Sequence, residues 1–223
     1  MSNFIDDIFE WDVLTWSKAY NEWQQIIELN KFKLGLELGS RSGGGSLLLA
    51  QNGIHTICSD VFNPIDKAEK VHKKYKLQKL ISYESIDARN IKYPDNHFDI
   101  IIMKSTLGFF KSKDDRFKVI KEIHRVLKPG GAFLFAENMN GSFFHQIFRK
   151  AYVKWGSKWN YFRVEELNQL FNIFNIKKIS YVGFLTSFAL RFNFLYKFFY
   201  NLDGLFIFLP KRFKYVSYGY LIK

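Results

Sequence analysis

An acidic residue, Glu37, closes the apolar run Lys33-Leu34-Gly35-Leu36-Glu37-Leu38, and the chain then enters the segment Gly39-Ser40-Arg41-Ser42-Gly43-Gly44-Gly45-Ser46. Glycines after a buried strand let the backbone turn sharply and come close to a ligand, because they lack a Cβ and tolerate positive φ. Ser46 and Leu47-Leu48-Leu49-Ala50 read as a helix start whose free N–H groups point back at the loop, a setting for a nucleotide-type ligand. Such a loop alone also serves plain strand-to-helix packing. Asp60 ends the next apolar run about twenty residues on, where a carboxylate accepts both hydroxyl protons of an adenosine ribose; a dinucleotide enzyme places an acid there too.

Two further segments carry polar residues at strand ends. Glu84-Ser85-Ile86-Asp87-Ala88 puts an acid just after one apolar run, and Asp99 lies inside the next, Phe98-Asp99-Ile100-Ile101-Ile102-Met103. Then Glu122-Ile123-His124-Arg125-Val126-Leu127 reads as the end of a helix, stopped by Lys128-Pro129-Gly130-Gly131 and followed at once by the strand Ala132-Phe133-Leu134-Phe135.

These groups need a frame. Strand patterns near 33–38, 54–59, 80–85, 98–103 and 132–136 alternate with helix patterns from 46, near 64–76 and over 114–127, which implies parallel strands with helices on both faces. Ahead of them, Trp16, Ala19, Tyr20, Trp23, Ile26 and Ile27 recur at helical spacing, so an amphipathic helix is expected near 13–29, with Asp12 as its N-cap and its tryptophans in the core. After them come a loop-like segment over 138–160, a helix near 163–173, a strand near 176–182 and a closing strand near 214–221.

The run 184–209, FLTSFALRFNFLYKFFYNLDGLFIFL, is long enough to cross a bilayer. It contains Arg191, Lys197 and Asp203, each costing about 2.5–3.5 kcal/mol near a membrane centre, so spanning is disfavoured. Ser187, Arg191, Asn193, Lys197 and Asn201 gather on one side of a helical wheel, which suits a packed lid helix or an interfacial helix.

Composition narrows the partners. From Phe143 onward there are 13 Lys or Arg against 3 Asp or Glu, and 25 of the 42 aromatic residues, whereas the first 142 residues carry 20 against 18. A basic, aromatic tail on a nearly neutral body suits an anionic partner or surface. The opening Met1-Ser2-Asn3-Phe4-Ile5-Asp6-Asp7 has neither the basic start nor the apolar core of a secretory signal, so a cytoplasmic location is expected. The single cysteine, Cys58, sits in an apolar run and reads as a small buried side chain, so disulfide and cysteine-zinc frameworks are excluded.

In sequence and spacing, Glu37-x-Gly39, Asp60, Asp87, Asp99 and Leu127-Lys128-Pro129-Gly130-Gly131 resemble the class I S-adenosylmethionine-dependent methyltransferases over roughly residues 33–137. The resemblance implies an α/β, doubly wound, Rossmann-like seven-stranded sheet with the last strand antiparallel, an N-terminal helix and a basic aromatic C-terminal helical insertion. It implies one domain over 1–223, with a helical cap over 1–30, a cofactor-binding core over 31–140 and a substrate-side region over 141–223. The cofactor implied is S-adenosylmethionine: the loop around Gly39 and Gly43 faces its methionine part, Asp60 holds its ribose, and Asp87 with Ala88 contacts its adenine. Glu37, Ser40, Arg41, Val61 and Lys104 complete the expected cofactor set. Arg41 is a departure, standing where the family loop usually has a second glycine. It could pair with the cofactor carboxylate or an anionic substrate, or point to solvent.

A softer resemblance, through Glu10-Trp11-Asp12-Val13-Leu14-Thr15-Trp16, Ala136-Glu137-Asn138, Phe148-Arg149-Lys150 and Val153-Lys154-Trp155-Gly156, is to a bacterial subset associated with surface-polysaccharide synthesis. At the end of the fourth strand, Met103-Lys104-Ser105-Thr106 lacks the Asn/Asp-Pro-Pro-aromatic pattern of enzymes that methylate exocyclic amines of DNA. Methylation of a glycan or glycolipid hydroxyl, at or near an anionic inner-membrane face, is the reading that remains in front. Removing a hydroxyl proton calls for a base. His145, in the loop after the fifth strand, and Glu137, at that strand's end, are the candidates, each with a structural role as its alternative. His55 and His124 lie among apolar neighbours, His72 and His97 read as surface positions, and no metal-ligand spacing appears. An RNA or small-molecule acceptor ranks behind the glycan reading, a noncatalytic binding module on the same fold ranks third, and an oligomer that buries the aromatic tail stays open.

Overall fold

Each apolar run expected to be a strand is one. The computed structural model describes residues 3–62, 65–152, 159–189 and 193–223. Its strands are β1 (Leu34–Leu38), β2 (His55–Asp60), β3 (Ile81–Ser85), β4 (Phe98–Lys104), β5 (Leu127–Asn138), β6 (Ile176–Val182) and β7 (Val216–Ile222). They form one sheet in the order β3-β2-β1-β4-β5-β7-β6, with the first five in parallel and β7 antiparallel to both β5 and β6. Strand order reverses between β1 and β4. The crevice over their carboxyl ends is therefore where such a sheet takes a ligand.

The helices are α1 (Phe4–Phe9), α2 (Val13–Trp16), α3 (Lys18–Leu29), α4 (Gly44–Gln51), α5 (Ile65–Lys74), α6 (Lys113–Val126), α7 (Phe143–Tyr152), α8 (Val164–Leu170), α9 (Thr186–Ala189) and α10 (Asn193–Asp203). Alternation along the central strands sends Leu36, Leu38, Ile101, Met103, Phe133 and Phe135 to a core shared with α6 and α8. Ile100, Ile102, Leu134 and Ala136 go to the opposite face, against Trp16, Trp23 and Leu47 to Leu49. Burial on both faces explains why these strands read as continuous apolar runs.

Three expectations change. The helix expected over 13–29 is interrupted at Ser17, giving α2 and α3. Asp12 is the N-cap residue of α2, as expected, but in a left-handed conformation and through its carbonyl, while its carboxylate accepts from the Tyr196 and Tyr215 hydroxyls at 2.9 and 2.6 Å.

The segment 138–160 is not loop throughout, because α7 occupies 143–152. That helix is held by His145 and Phe148, whose rings pack on Phe188 of α9 at 4.6 and 5.4 Å. Aromatic residues on its outer side as well hide the helical period.

In the run 184–209, Asp203 at the end of α10 accepts the N–H groups of Phe184, Leu185 and Thr186, which ties that end to the start of α9. Among the described residues, no helix is long and apolar enough to cross a membrane. Val153-Lys154-Trp155-Gly156 and Arg191 lie outside the described residues.

Candidate functional site

The turn after β1 is fixed by three backbone positions. Gly39 adopts φ +68°, and a Cβ there would stand 2.4 Å from the Thr106 side chain, so a side chain is excluded both by conformation and by space. Arg41 adopts φ 52°, the left-handed region a glycine would take without strain, at a cost of about 1–2 kcal/mol for an L-residue. Its N–H donates to Asp60 Oδ2 at 3.0 Å. The arginine therefore keeps the loop path that a glycine would give. Gly43, also at positive φ, is held from behind: its carbonyl accepts from His72 Nε2 at 2.8 Å, while His72 Nδ1 accepts from the Tyr83 hydroxyl at 2.7 Å.

His72 is thus buried and not a surface residue. Its position four residues after buried Ala68, on the inner side of α5, was the signal in the sequence.

Glu37 does not reach the cleft. Its buried carboxylate accepts from Gly45 N and Ser46 N, both at 2.8 Å, and from Ser46 Oγ at 2.6 Å, so it ties β1 to the first turn of α4. Burial pushes its pKa up, against these hydrogen bonds and the field of Lys104. Cys58, 3.8 Å from the same carboxylate, is pushed up by burial and by that charge, as befits an inert thiol.

Over the carboxyl ends of β1 and β4 lies a cavity of about 400 Å³ lined by Glu10, Trp11, Gly39, Ser40, Arg41, Lys104, Ser105 and Trp159. Four of these, Gly39, Ser40, Arg41 and Lys104, belong to the expected cofactor set. Glu10, Trp11 and Trp159 come from segments outside the core, where no strand or loop signature marks them. Glu10, Arg41 and Ser105 all have positive φ. Strain of this kind gathers at ligand sites, where the surrounding structure over-determines the backbone.

Charges alternate around the cavity. Glu10 stands 3.4 Å from Lys104 Nζ and 3.8 Å from Arg41 Nε. Both cations also face the Trp11 ring, at 4.4 and 5.0 Å from its centre. Burial lowers the Lys104 pKa, opposed by Glu10 and Glu37. Ser40 Oγ, buried in the wall, has no hydrogen-bond partner among the described residues. A glycine cradle, a paired set of both signs and an unused hydroxyl fit a ligand with a zwitterionic end.

Asp60 and Asp87 stand outside this enclosed part, at the ends of β2 and β3. Ile86 N donates to the Asp60 carbonyl at 3.0 Å, which keeps the two strand ends together. Asp60 Oδ1 accepts from Val61 N at 2.8 Å, and the Val61 side chain is half exposed. The Arg89 guanidinium holds Asp87 below the usual carboxylate range, and Ala88 is buried beside it. Asp99 lies at the opposite end of the sheet, accepting from Lys33 N and Leu34 N at 2.9 Å each.

Neither candidate base faces the cavity. His145 is 1% exposed; its Nδ1 accepts from Ser142 N at 3.0 Å, and its Nε2 donates to the Phe184 carbonyl at 2.8 Å. Burial lowers its pKa to about 4, so it is a neutral, doubly bonded clasp between α7 and α9. Glu137 is fully buried behind the chain after β4, where its Oε1 accepts from Thr106 N and Leu107 N at 2.7 Å each. It positions that turn and lines none of the cavities formed by the described residues.

Burial raises Glu137 to about 7 from an ordinary 4.5. The folded chain therefore holds a proton there that the unfolded chain has released above about pH 4.5, and folding takes up protons in between. The contribution of Glu137 to stability falls as pH rises through this window and levels off above about pH 7, while His145, held neutral, contributes with the opposite sign up to about pH 6.5. Urea titrations from pH 5 to 8 check it: Glu137→Gln should remove up to about 3 kcal/mol of that slope. Asp12, raised by burial to about 6, keeps a smaller slope of the same sign.

A family of methyltransferase domains matches residues 36–135. Over 159 residues the chain is 27% identical to the ubiquinone/menaquinone biosynthesis C-methyltransferase UbiE of Shewanella baltica, covering 67% of this chain and 59% of that one. Over 108 residues it is 32% identical to the glycine/sarcosine/dimethylglycine N-methyltransferase of Actinopolyspora halophila, covering 47% of this chain and 18% of that one. It therefore spans less than two thirds of the length of these curated relatives. Among solved structures, a SAM-dependent methyltransferase of Methanosarcina mazei superposes with a TM-score of 0.63 at 21% identity, covering 89% of this chain and 96% of that one. This likeness is one of fold.

Proposed function

We propose, starting from a chain whose residues 36–135 match a family of methyltransferase domains, that the protein uses S-adenosylmethionine to methylate a hydroxyl of a glycan or glycolipid precursor. The observation that carries the methyl-transfer reading is the set Glu10, Arg41 and Lys104 around the Gly39 turn at the β1/β4 reversal. Lys104 and Arg41 suit the carboxylate of the cofactor's methionine end, and Glu10 its ammonium group. Asp60 has lone pairs left for two ribose hydroxyls, and the Asp87–Ala88 corner suits the adenine.

Held by Glu10, Arg41, Lys104 and Asp60, S-adenosylmethionine would supply an electrophilic sulfonium methyl for the acceptor oxygen, with S-adenosylhomocysteine leaving and the hydroxyl proton passing to solvent. The chain's own part is to orient and to exclude water. Trp11 and Trp159 give the cavity aromatic walls, which supports an acceptor with an apolar ring face such as a sugar. With His145 and Glu137 turned elsewhere, positioning takes the place of a dedicated imidazole or β5 carboxylate base.

Calorimetry with S-adenosylmethionine tests the cofactor half. Asp60→Ala is expected to weaken binding about 10- to 100-fold, the worth of hydrogen bonds to a charged group; an unchanged affinity, or no binding by the unaltered chain, removes the reading. Lysate fractions incubated with methyl-labelled cofactor test the acceptor half. Label in polysaccharide or lipid is expected, and label in RNA would replace the acceptor.

A further inference from the structure

On α10 Tyr196 and Tyr200 face inward, whereas Phe194 and Phe198 face out. The Tyr196 hydroxyl donates to Asp12 and accepts from Leu14 N at 3.0 Å, and the Tyr200 ring lies 5.1 Å from Lys18 Nζ, so one side of the helix is fastened to the N-terminal helices. The other side presents Phe194, Lys197, Phe198 and Asn201 at helical spacing, continued by Leu205 and Phe208. Phe194 is 80% exposed, Phe198 56% and Phe208 94%. Lys197 and Asn201 lie among these rings, so the outward side is not the polar one that the helical wheel suggested. Apolar area of this kind on a charged chain marks an interaction surface.

The charges around it have one sign. Lys197, Lys211 and Arg212 are exposed on this segment. Its one acid, Asp203, is committed to the N–H groups of residues 184–186. Behind α10 lies a cavity of about 650 Å³ whose walls include Lys18, Lys211 and Lys214 together with Ile207. A second copy of this chain would bring cation against cation. An anionic lipid surface satisfies both halves, with rings entering the acyl boundary and lysines meeting phosphates.

We infer that the outward face of α10 and the turn through Phe208 docks on an anionic lipid bilayer. The docking stands apart from the methyl-transfer reading, and only its bearing on the acceptor rests on that reading. α10 is fastened at Asp12, directly after Glu10 and Trp11 of the cofactor cavity, so docking sets that wall close to the lipid surface.

Sedimentation with phospholipid vesicles tests it, using the whole chain and the triple variant Phe194→Ser, Phe198→Ser, Phe208→Ser. The unaltered chain is expected to pellet with vesicles of mixed phosphatidylglycerol and phosphatidylcholine, to stay in solution with phosphatidylcholine alone, and to be released by salt. The triple variant should partition at least about tenfold less, a 1.4 kcal/mol change. Retained S-adenosylmethionine binding shows that the variant is folded, and failure of that binding in the unaltered chain strikes the methyl-transfer reading alone. Equal pelleting by both proteins, no pelleting at all, or a dimer on size-exclusion chromatography that the triple variant dissolves would overturn the proposal.

Discussion

Glu37→Ala is expected to cost about 3–5 kcal/mol of folding stability, as removal of one partner from a buried hydrogen-bonded charge does. The carboxylate accepts three hydrogen bonds, from Gly45 N, Ser46 N and Ser46 Oγ, and its loss leaves those donors buried with no water to replace it. The variant should also lose S-adenosylmethionine binding, because the first turn of α4 supports the glycine loop. Glu37→Gln keeps one acceptor oxygen but turns an amide N–H toward a backbone donor, so a smaller loss of about 1–3 kcal/mol is expected. Urea unfolding with parallel calorimetry checks both, and a loss below about 1 kcal/mol for the alanine variant would show that the carboxylate is dispensable.

Gly39→Ala attacks the same loop from the cleft side. At φ +68° an L-residue is strained, and the new Cβ would stand 2.4 Å from Thr106 Cγ2 and Oγ1. Either the turn opens or the chain after β4 moves, and both deform the cavity. S-adenosylmethionine affinity is expected to fall about 10- to 100-fold, or roughly 1.4–2.8 kcal/mol. Adding Thr106→Ala removes the two nearest obstructing atoms and should restore part of the binding, whereas the backbone strain stays. A double-mutant cycle reads this coupling directly. Full affinity in the single variant would mean that the turn at Gly39 does not shape the site.

The sheet was legible because continuous apolar runs and glycine punctuation are local signals. β1, β2, β3 and β4 each begin and end within about two residues of the expected bounds. The positions of Gly39 and Asp60, after β1 and at the end of β2, follow from the same local pattern, whereas the strand order with its reversal at β1/β4 does not. Other features depend on which neighbour a residue meets. His145 stands in a segment rich in Asn, Gly and Ser that reads as a loop, and only its contacts with Ser142 and Phe184 show the imidazole to be a structural clasp. His72 looks like one more polar residue among lysines, yet its partners are Tyr83 and Gly43, 11 and 29 residues away in sequence. Glu137 stands at a strand end, a common place for catalytic groups, but the chain after β4 folds over it. Glu10 and Trp11 reach the cavity through the packing of α1 and α2, for which a single sequence carries no spacing rule.

That packing bears on the order in which the molecule becomes competent. The Trp23 indole donates to the Gly219 carbonyl at 3.0 Å, and Asp12 accepts from Tyr196 and Tyr215, contacts that join positions 184 to 203 residues apart. During synthesis, β1 to β5 with their helices can pair as they emerge, because each neighbours a strand already made or soon to follow. The wall carrying Glu10 and Trp11 meets the core through Asp7–Tyr75 and Glu10–Lys104, and gains its second anchor, at Asp12, only when the last strand is in place. Closing so long a loop is slow, so the cofactor cavity is expected to be among the last features to assemble. A nascent chain that stops short of β7 would carry the glycine turn and the acidic strand ends while lacking the Tyr215–Asp12 anchor of the pocket wall.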